Sequence, residues 1–529
     1  LDVSAGEYGG RRIAAAATLT HGRVAITGST LHDRSDGYVP VRGAAAGAAD
    51  TPLDIETRSA ALRTDIGIDG ATALSLRASA YDETRGSGLL GARSSANGQG
   101  YSATLARTPG RERFGWRAQV WRRESDFTNT SVAVAAGRGG TSPANDQFAT
   151  PASGWGGNLA LRRSGLDLGG GRLEWEVGAD ARFSEGETQE RSRFMGGQFT
   201  RERYAGGETA IVGAYAEGAW TGGPWLIAGG LRLDRWENTQ GRRLERDRLT
   251  GLPTLDETYP DRSGEVVSAR LAVRREIAAG LAVRAAAYSG FRPATLNELH
   301  RPFRVGNDLT EANAALEPET LQGVEAGLSR EGERTRLGAT VFLNRIEAAI
   351  VNVTIGAGPG IIPALPRAGF VPAGGVLRQR QNAGVIEALG LELTAEHRIG
   401  DLTLVGAVSA TDAEVDGGGA APQLTGLRPA QAPVLSATAG LDWRASDRLR
   451  IGGRARYESR RFDDDLNSRE LDDALTLDAR ADWTVREGVA LYLAGDNLLD
   501  AEVEVSETAG GVAGYGPPRT LRAGVSFSW

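Results

Sequence analysis

The chain contains no cysteine, which rules out disulfide staples and thiolate metal centres. Lysine is also missing, so all 60 basic residues are arginine. A GC-rich coding sequence accounts for that, and it carries no functional reading. No run of about 18 apolar residues occurs, so no transmembrane helix can be drawn. Mean hydropathy is only −0.29. A transmembrane barrel is still allowed, because it places apolar residues at every second position and keeps that average low. The net charge of −7 is spread along the chain, with no basic block for nucleic acid or anionic lipid. The histidines, His21, His32, His300 and His397, number 4, and no two have metal-ligand spacing. Serines lack a partnered histidine or a nucleophile elbow, and Gly86-x-Gly88 does not lead from a strand into a helix. Asp463-Asp464-Asp465 lacks the glycine and glutamate of a calcium loop and reads as a solvated loop or an arginine contact. Neither an enzyme, nor a metal site, nor a cofactor is expected.

What is present is alternation. In residues 518–529, Leu521, Ala523, Val525, Phe527 and Trp529 fall on one parity, and Arg522, Gly524, Ser526 and Ser528 on the other. A period of two is a β-strand with one apolar face. A soluble sandwich could use such a strand, but ending it on tryptophan would invite edge-to-edge aggregation. A strand that closes a barrel in lipid, with Trp529 in the aromatic girdle, has no such problem. Residues 171–183 show the pattern best: Leu173, Trp175, Val177, Ala179 and Ala181 are expected toward lipid, with Glu174, Glu176, Asp180 and Arg182 toward the lumen.

Glycine, 73 of 529 residues, supplies short turns such as Gly9-Gly10, His21-Gly22, Asp69-Gly70, Pro109-Gly110, Gly222-Gly223, Ala279-Gly280, Gly400-Asp401 and Glu487-Gly488. From His21-Gly22 onward, short turns alternate with longer excursions, about 33–57, 83–97, 128–153, 184–207, 237–263, 291–319, 347–382, 411–431, 460–471 and 498–517. Short connections on one rim and long ones on the other are the layout of an outer-membrane barrel. The expectation is one all-β domain over residues 1–529, an antiparallel up-and-down barrel of about 22 strands with both termini at the short-turn rim. The last strand should pair with residues 1–8. The Gly/Ala/Pro-rich stretches 44–49, 356–375 and 417–422 read as mobile loop tips.

Residues 287–328 carry Phe291, Arg292, Pro293, Leu296, Asn297, Glu298 and Leu299, then Asn313, Leu316, Pro318, Glu319 and Glu325. Gly390-Leu391-Glu392 follows later, then Arg461-Phe462-Asp463-Asp464 and the run 491–500. In this order the set resembles the barrel of the TonB-dependent outer-membrane receptors. The end pattern Arg522-x-Gly524-x-x-Phe527-x-Trp529 resembles the terminal signal of outer-membrane assembly, which implicates Gly524, Phe527 and Trp529 in closure and insertion. The resemblance implies a Gram-negative outer-membrane location, contact with lipid, an inner-membrane TonB energy-transducing complex and an N-terminal plug. No plug precedes the first barrel strand here, so the plug is expected upstream of residue 1 or as a separate chain.

At the mouth, Phe291, Arg292, His300, Arg301, Phe303 and Arg304 suit a planar anionic ligand through charge-assisted bonds and stacking. Arg292 with Glu298 could instead brace strand ends, and His300 reads more readily as an exposed loop residue. Energy-coupled import of a ferric siderophore or another metal chelate, such as cobalamin, is expected of a monomer. A passive porin-like channel is the alternative.

Overall fold

A chain that alternates along nearly every segment must satisfy its backbone in lipid without water, and a closed sheet does so. In this computed structural model, which describes residues 1–110, 113–305, 308–508 and 510–529, 22 antiparallel strands close into a barrel. Asp2–Gly6 pairs with Arg11–His21 on one side and with Thr520–Phe527 on the other, with Val3 opposite Val525 and Ser4 opposite Gly524. The Phe527 amide donates to the Leu1 carbonyl at 2.7 Å, and the barrel sheet closes without a free edge among the described residues. Gly524 is glycine for a reason: the Tyr492 ring covers it where a Cβ would collide, and the Tyr492 hydroxyl donates to Asp2 at 3.0 Å. The Ser528 amide donates to Gly488 at 2.8 Å, so both termini lie at the short-turn rim.

Face assignment follows the parity. Val177 is 41% exposed on the outer wall, and Trp155 stacks on Phe183 at 4.3 Å. On the inner wall Tyr215 donates to Glu176 at 2.6 Å and Arg232 to Asp180 at 2.6 Å. One further short turn, Gly169-Gly170, uses positive φ at both residues.

Residues 184–207 are not a loop. They continue Gly171–Met195 and Gln198–Gly222, each 25 residues long, more than twice what a bilayer needs. Above the membrane the outer face meets water and the inner face meets polar and charged partners in the cap, so the apolar row disappears while the hydrogen-bond ladder continues. Trp225–Asp247 extends the same way. For the same reason the excursion at 83–97 shrinks, because strands run to Gly86 and restart at Arg93.

Two loops fold together over this mouth. Phe303–Val305, Asp308–Glu311, Val376–Asn382 and Ile350–Ala357 form a 4-stranded sheet, in which Asp308–Glu311 runs parallel to Val376–Asn382. Leu309, Ile362, Val371 and Leu377 pack beneath it, the last two 0% exposed. The stretch 356–375, expected to be mobile, is therefore a packed cap. Ala49 and Ala421 are equally buried. The glycines and prolines in these stretches make turns, while the apolar residues between them find partners distant in sequence.

Candidate functional site

The cap hangs on a short helix, Leu296–His300, started by a capping box of Thr295 and Glu298. Arg292, at the end of its strand, donates to Glu319 at 2.5 Å and to Glu298 at 3.0 Å. It braces the strand end against the helix. Ala294, Leu299 and Leu316 bury together behind that brace. Phe291 is half-buried on the opposite side of the strand, in line with outward-facing Val283.

His300 turns inward and is only 3% exposed. Its ring stacks on Tyr259 at 5.3 Å and fills a slot left by Gly207 and Gly241, where a Cβ on Gly241 would come within 2.5 Å of the ring. The two glycines flank a bulge between adjacent strands. Neither ring nitrogen has a hydrogen-bond partner among the described residues, and burial pushes His300 down to about 4. The expectation of an exposed loop histidine is thus corrected: the residues that bury it lie far away in sequence.

Arg301 begins a chain of alternating charge. It donates to Glu190 at 3.0 Å and to Gln147 at 3.0 Å. Glu190, 1% exposed, also accepts from Asn145 at 3.2 Å and Arg203 at 3.3 Å. Arg203 reaches Glu245 at 2.9 Å, Glu245 accepts from Arg243 at 2.7 Å, and Arg243 donates to Glu311 in the cap sheet at 2.7 Å. Burial alone would raise Glu245, but Arg203 and Arg243 together outweigh it and hold the carboxyl down at about 2. The cap is therefore latched to the tall strands through Arg301 and Glu311. Phe303 lies under the Arg380 guanidinium at 5.1 Å. Arg304 is exposed and donates to the Phe370 carbonyl at 3.4 Å. Asp464 serves its own turn, accepting from the Ser468 and Arg469 amides at 2.9 Å.

The six mouth residues singled out from the sequence therefore do not converge. Arg301 is the member that also lines the lumen, where a cavity of about 2050 Å³ runs from Asp2 and Ser526 up to residues 293–297. Much of its wall is small and uncharged, including Ala14, Ala16, Ser29, Ser59, Ala61 and Ser79. Of the arginines of this wall, sequence reasoning placed Arg182 toward the lumen and missed Arg77 and Arg123. The available signal was their position on the polar parity of ordinary strands.

A closed 22-strand barrel with short turns on one rim and long folded connections on the other defines an outer-membrane β-barrel protein of a Gram-negative bacterium. The family profile described as TonB dependent receptor-like, beta-barrel matches residues 29–498, and the chain belongs to that family. Its fold is similar to the siderophore receptor PiuA from Acinetobacter baumannii, at 14% identity and TM-score 0.76, covering 100% of this chain and 81% of that one. The ferric-catecholate import receptor Fiu from E. coli K12 aligns at 14% identity and TM-score 0.75, with coverage of 100% and 81%. The copper transporter OprC aligns at 16% and 0.76, with coverage of 100% and 80%. At these identities the likeness establishes the fold. No curated protein sequence matches the chain. Family and fold are those of transport receptors.

Proposed function

We propose that this chain is the barrel of a receptor for energy-coupled import of a scarce, large solute, a ferric siderophore or another metal chelate such as cobalamin. The observation that carries the reading is the luminal cavity of about 2050 Å³ beneath a packed, latched cap. That volume suits a bulky chelate, and an ungated barrel of this width would leak. A plug domain, encoded upstream or separately, seals the lumen in this reading, and an inner-membrane TonB complex supplies the energy. The protein works as a monomer. Arg301 meets the ligand at the lumen, while Arg292, His300, Phe303 and Arg304 hold the shape of the cap around it, and Phe291, on the outward side of its strand, has no part in ligand contact. The named siderophore and copper proteins of the same fold support a metal-chelate substrate without specifying it.

The test is growth of a deletion strain, complemented with the complete gene, on single iron chelates or cobalamin. Growth should fail on one chelate class and return with the gene. Unimpaired growth on all of them, with large constant conductance of the purified native protein in planar bilayers, would replace this reading with a passive channel.

A further inference from the structure

The luminal wall carries a second arginine set, separate from the mouth. Strand register places Arg77 opposite Ser102, Ser102 opposite Trp121, Trp121 opposite Gly156, and Gly156 opposite Arg182. Directly opposed residues in antiparallel strands share a face, so these residues form one row across neighbouring strands. Arg123 lies two positions beyond Trp121 and points the same way. Arg77, Trp121, Arg123 and Arg182 all line the 2050 Å³ cavity. Gly156 makes room for the indole, since a Cβ there would come within 2.8 Å of the Trp121 ring. The Arg123 guanidinium lies over that ring at 5.7 Å.

These arginines differ from others on the inner wall. Arg232 is neutralised by Asp180 at 2.6 Å and Asp234 at 2.5 Å, Arg480 by Asp482 at 2.7 Å, and Arg63 by Asp65 at 2.8 Å. Among the described residues, Arg77, Arg123 and Arg182 make no ion pair. Four acidic side chains also line the cavity and each is engaged, Asp2 by Tyr492 at 3.0 Å and Ser526 at 2.6 Å, Glu124 by Arg122 at 2.8 Å, Glu185 by Ser153 at 2.7 Å and Glu187 by Gln189 at 3.1 Å. Unpaired guanidiniums inside a low-dielectric wall focus a positive field. Their planar forks match carboxylates and other oxyanions, and the indole face accepts a flat group.

We infer that Arg77, Trp121, Arg123 and Arg182 form an anion-binding subsite inside the lumen, below the mouth, on the path of a carboxylate-bearing metal chelate. The chelate identity rests on the import reading above; anion binding by the row does not. A carboxylate from a domain seated in the lumen would offer the same chemistry, and the experiment separates the two sources.

The chain, purified in detergent, is titrated with citrate by calorimetry. Citrate should bind, and each of R77Q, R123Q and R182Q should weaken it roughly tenfold. R480Q, which changes a paired arginine that neither belongs to the row nor lines the cavity, should bind as the parent does. No binding by the parent, or equal binding by the triple variant, overturns the subsite. In cells making the complete gene product, the triple variant should lose chelate uptake while remaining resistant to vancomycin. Retained uptake with new vancomycin sensitivity would assign the row to a domain's carboxylate and overturn its place on the ligand path. Failure of the growth test alone would leave the citrate result standing.

Discussion

Glu190 is where the cap latch can be cut with one atom exchanged. Replacing it by glutamine removes the charge that holds Arg301 and Arg203, whose side chains are only 19% and 17% exposed. Breaking a buried pair from one side costs about 3–5 kcal/mol, because the remaining charge is stranded. Glutamine can still accept one bond and both arginines keep some water, so about 3 kcal/mol is the expected loss for opening the cap. At about 1.4 kcal/mol per factor of ten, that is roughly two orders of magnitude in opening equilibrium. Native-state hydrogen exchange reads it directly. The reporting amides are Leu299, bonded to Thr295 at 3.0 Å, and Asn313, bonded to Glu298 at 3.1 Å. Amides of residues 171–183 should keep their protection, since the barrel does not depend on the latch. Glu124→Gln, which breaks the exposed Arg122 pair, should change nothing measurable. Unchanged protection of Leu299 and Asn313 in Glu190→Gln would refute the latch.

Burial holds His300 at about 4, against about 6.5 when exposed. The closed cap then binds fewer protons than the opened cap between these values. Its stability should fall by up to about 3 kcal/mol as pH drops through that window and level off below it; His300→Phe, which keeps the stack on Tyr259, should remove this slope in the same exchange measurement. Glu245, held at about 2, contributes stability present above its unfolded value of about 4.5 and lost as pH falls toward 2, and that slope should persist in the His300 variant. On the outer wall, Val177→Arg should cost roughly 2–4 kcal/mol in folding titrations into lipid vesicles, as expected near the midplane; a cost near zero would mean the parity is reversed. Removing Phe527, Ser528 and Trp529 deletes the last closing contacts and should abolish surface levels measured by whole-cell labelling, whereas Phe303→Ala should insert normally and alter only chelate uptake.

What the sequence by itself determined was the barrel. Alternation at residues 171–183, the glycine turns and the aromatic terminus of 518–529 each report how one short segment meets lipid and lumen, and lipid imposes that pattern locally. The ordered motifs from Phe291 to Asp500 carried the family for the same reason, since each is a short run of neighbours. Other features required the tertiary structure. The tall strands beyond Ser184 lose their apolar parity once lipid no longer covers the outer face and a charged latch covers the inner one, so their ladder was invisible in composition. The burial of His300 depends on Gly207 and Gly241, and the latch joins Glu190 to Arg301 across more than 100 residues. Arg77, Trp121, Arg123 and Arg182 become one row only when the register of successive strands is set. Periodicity describes the surroundings of a single segment, whereas register and cap packing are sums over partners far apart in the chain, and only the closed sheet brings those partners together.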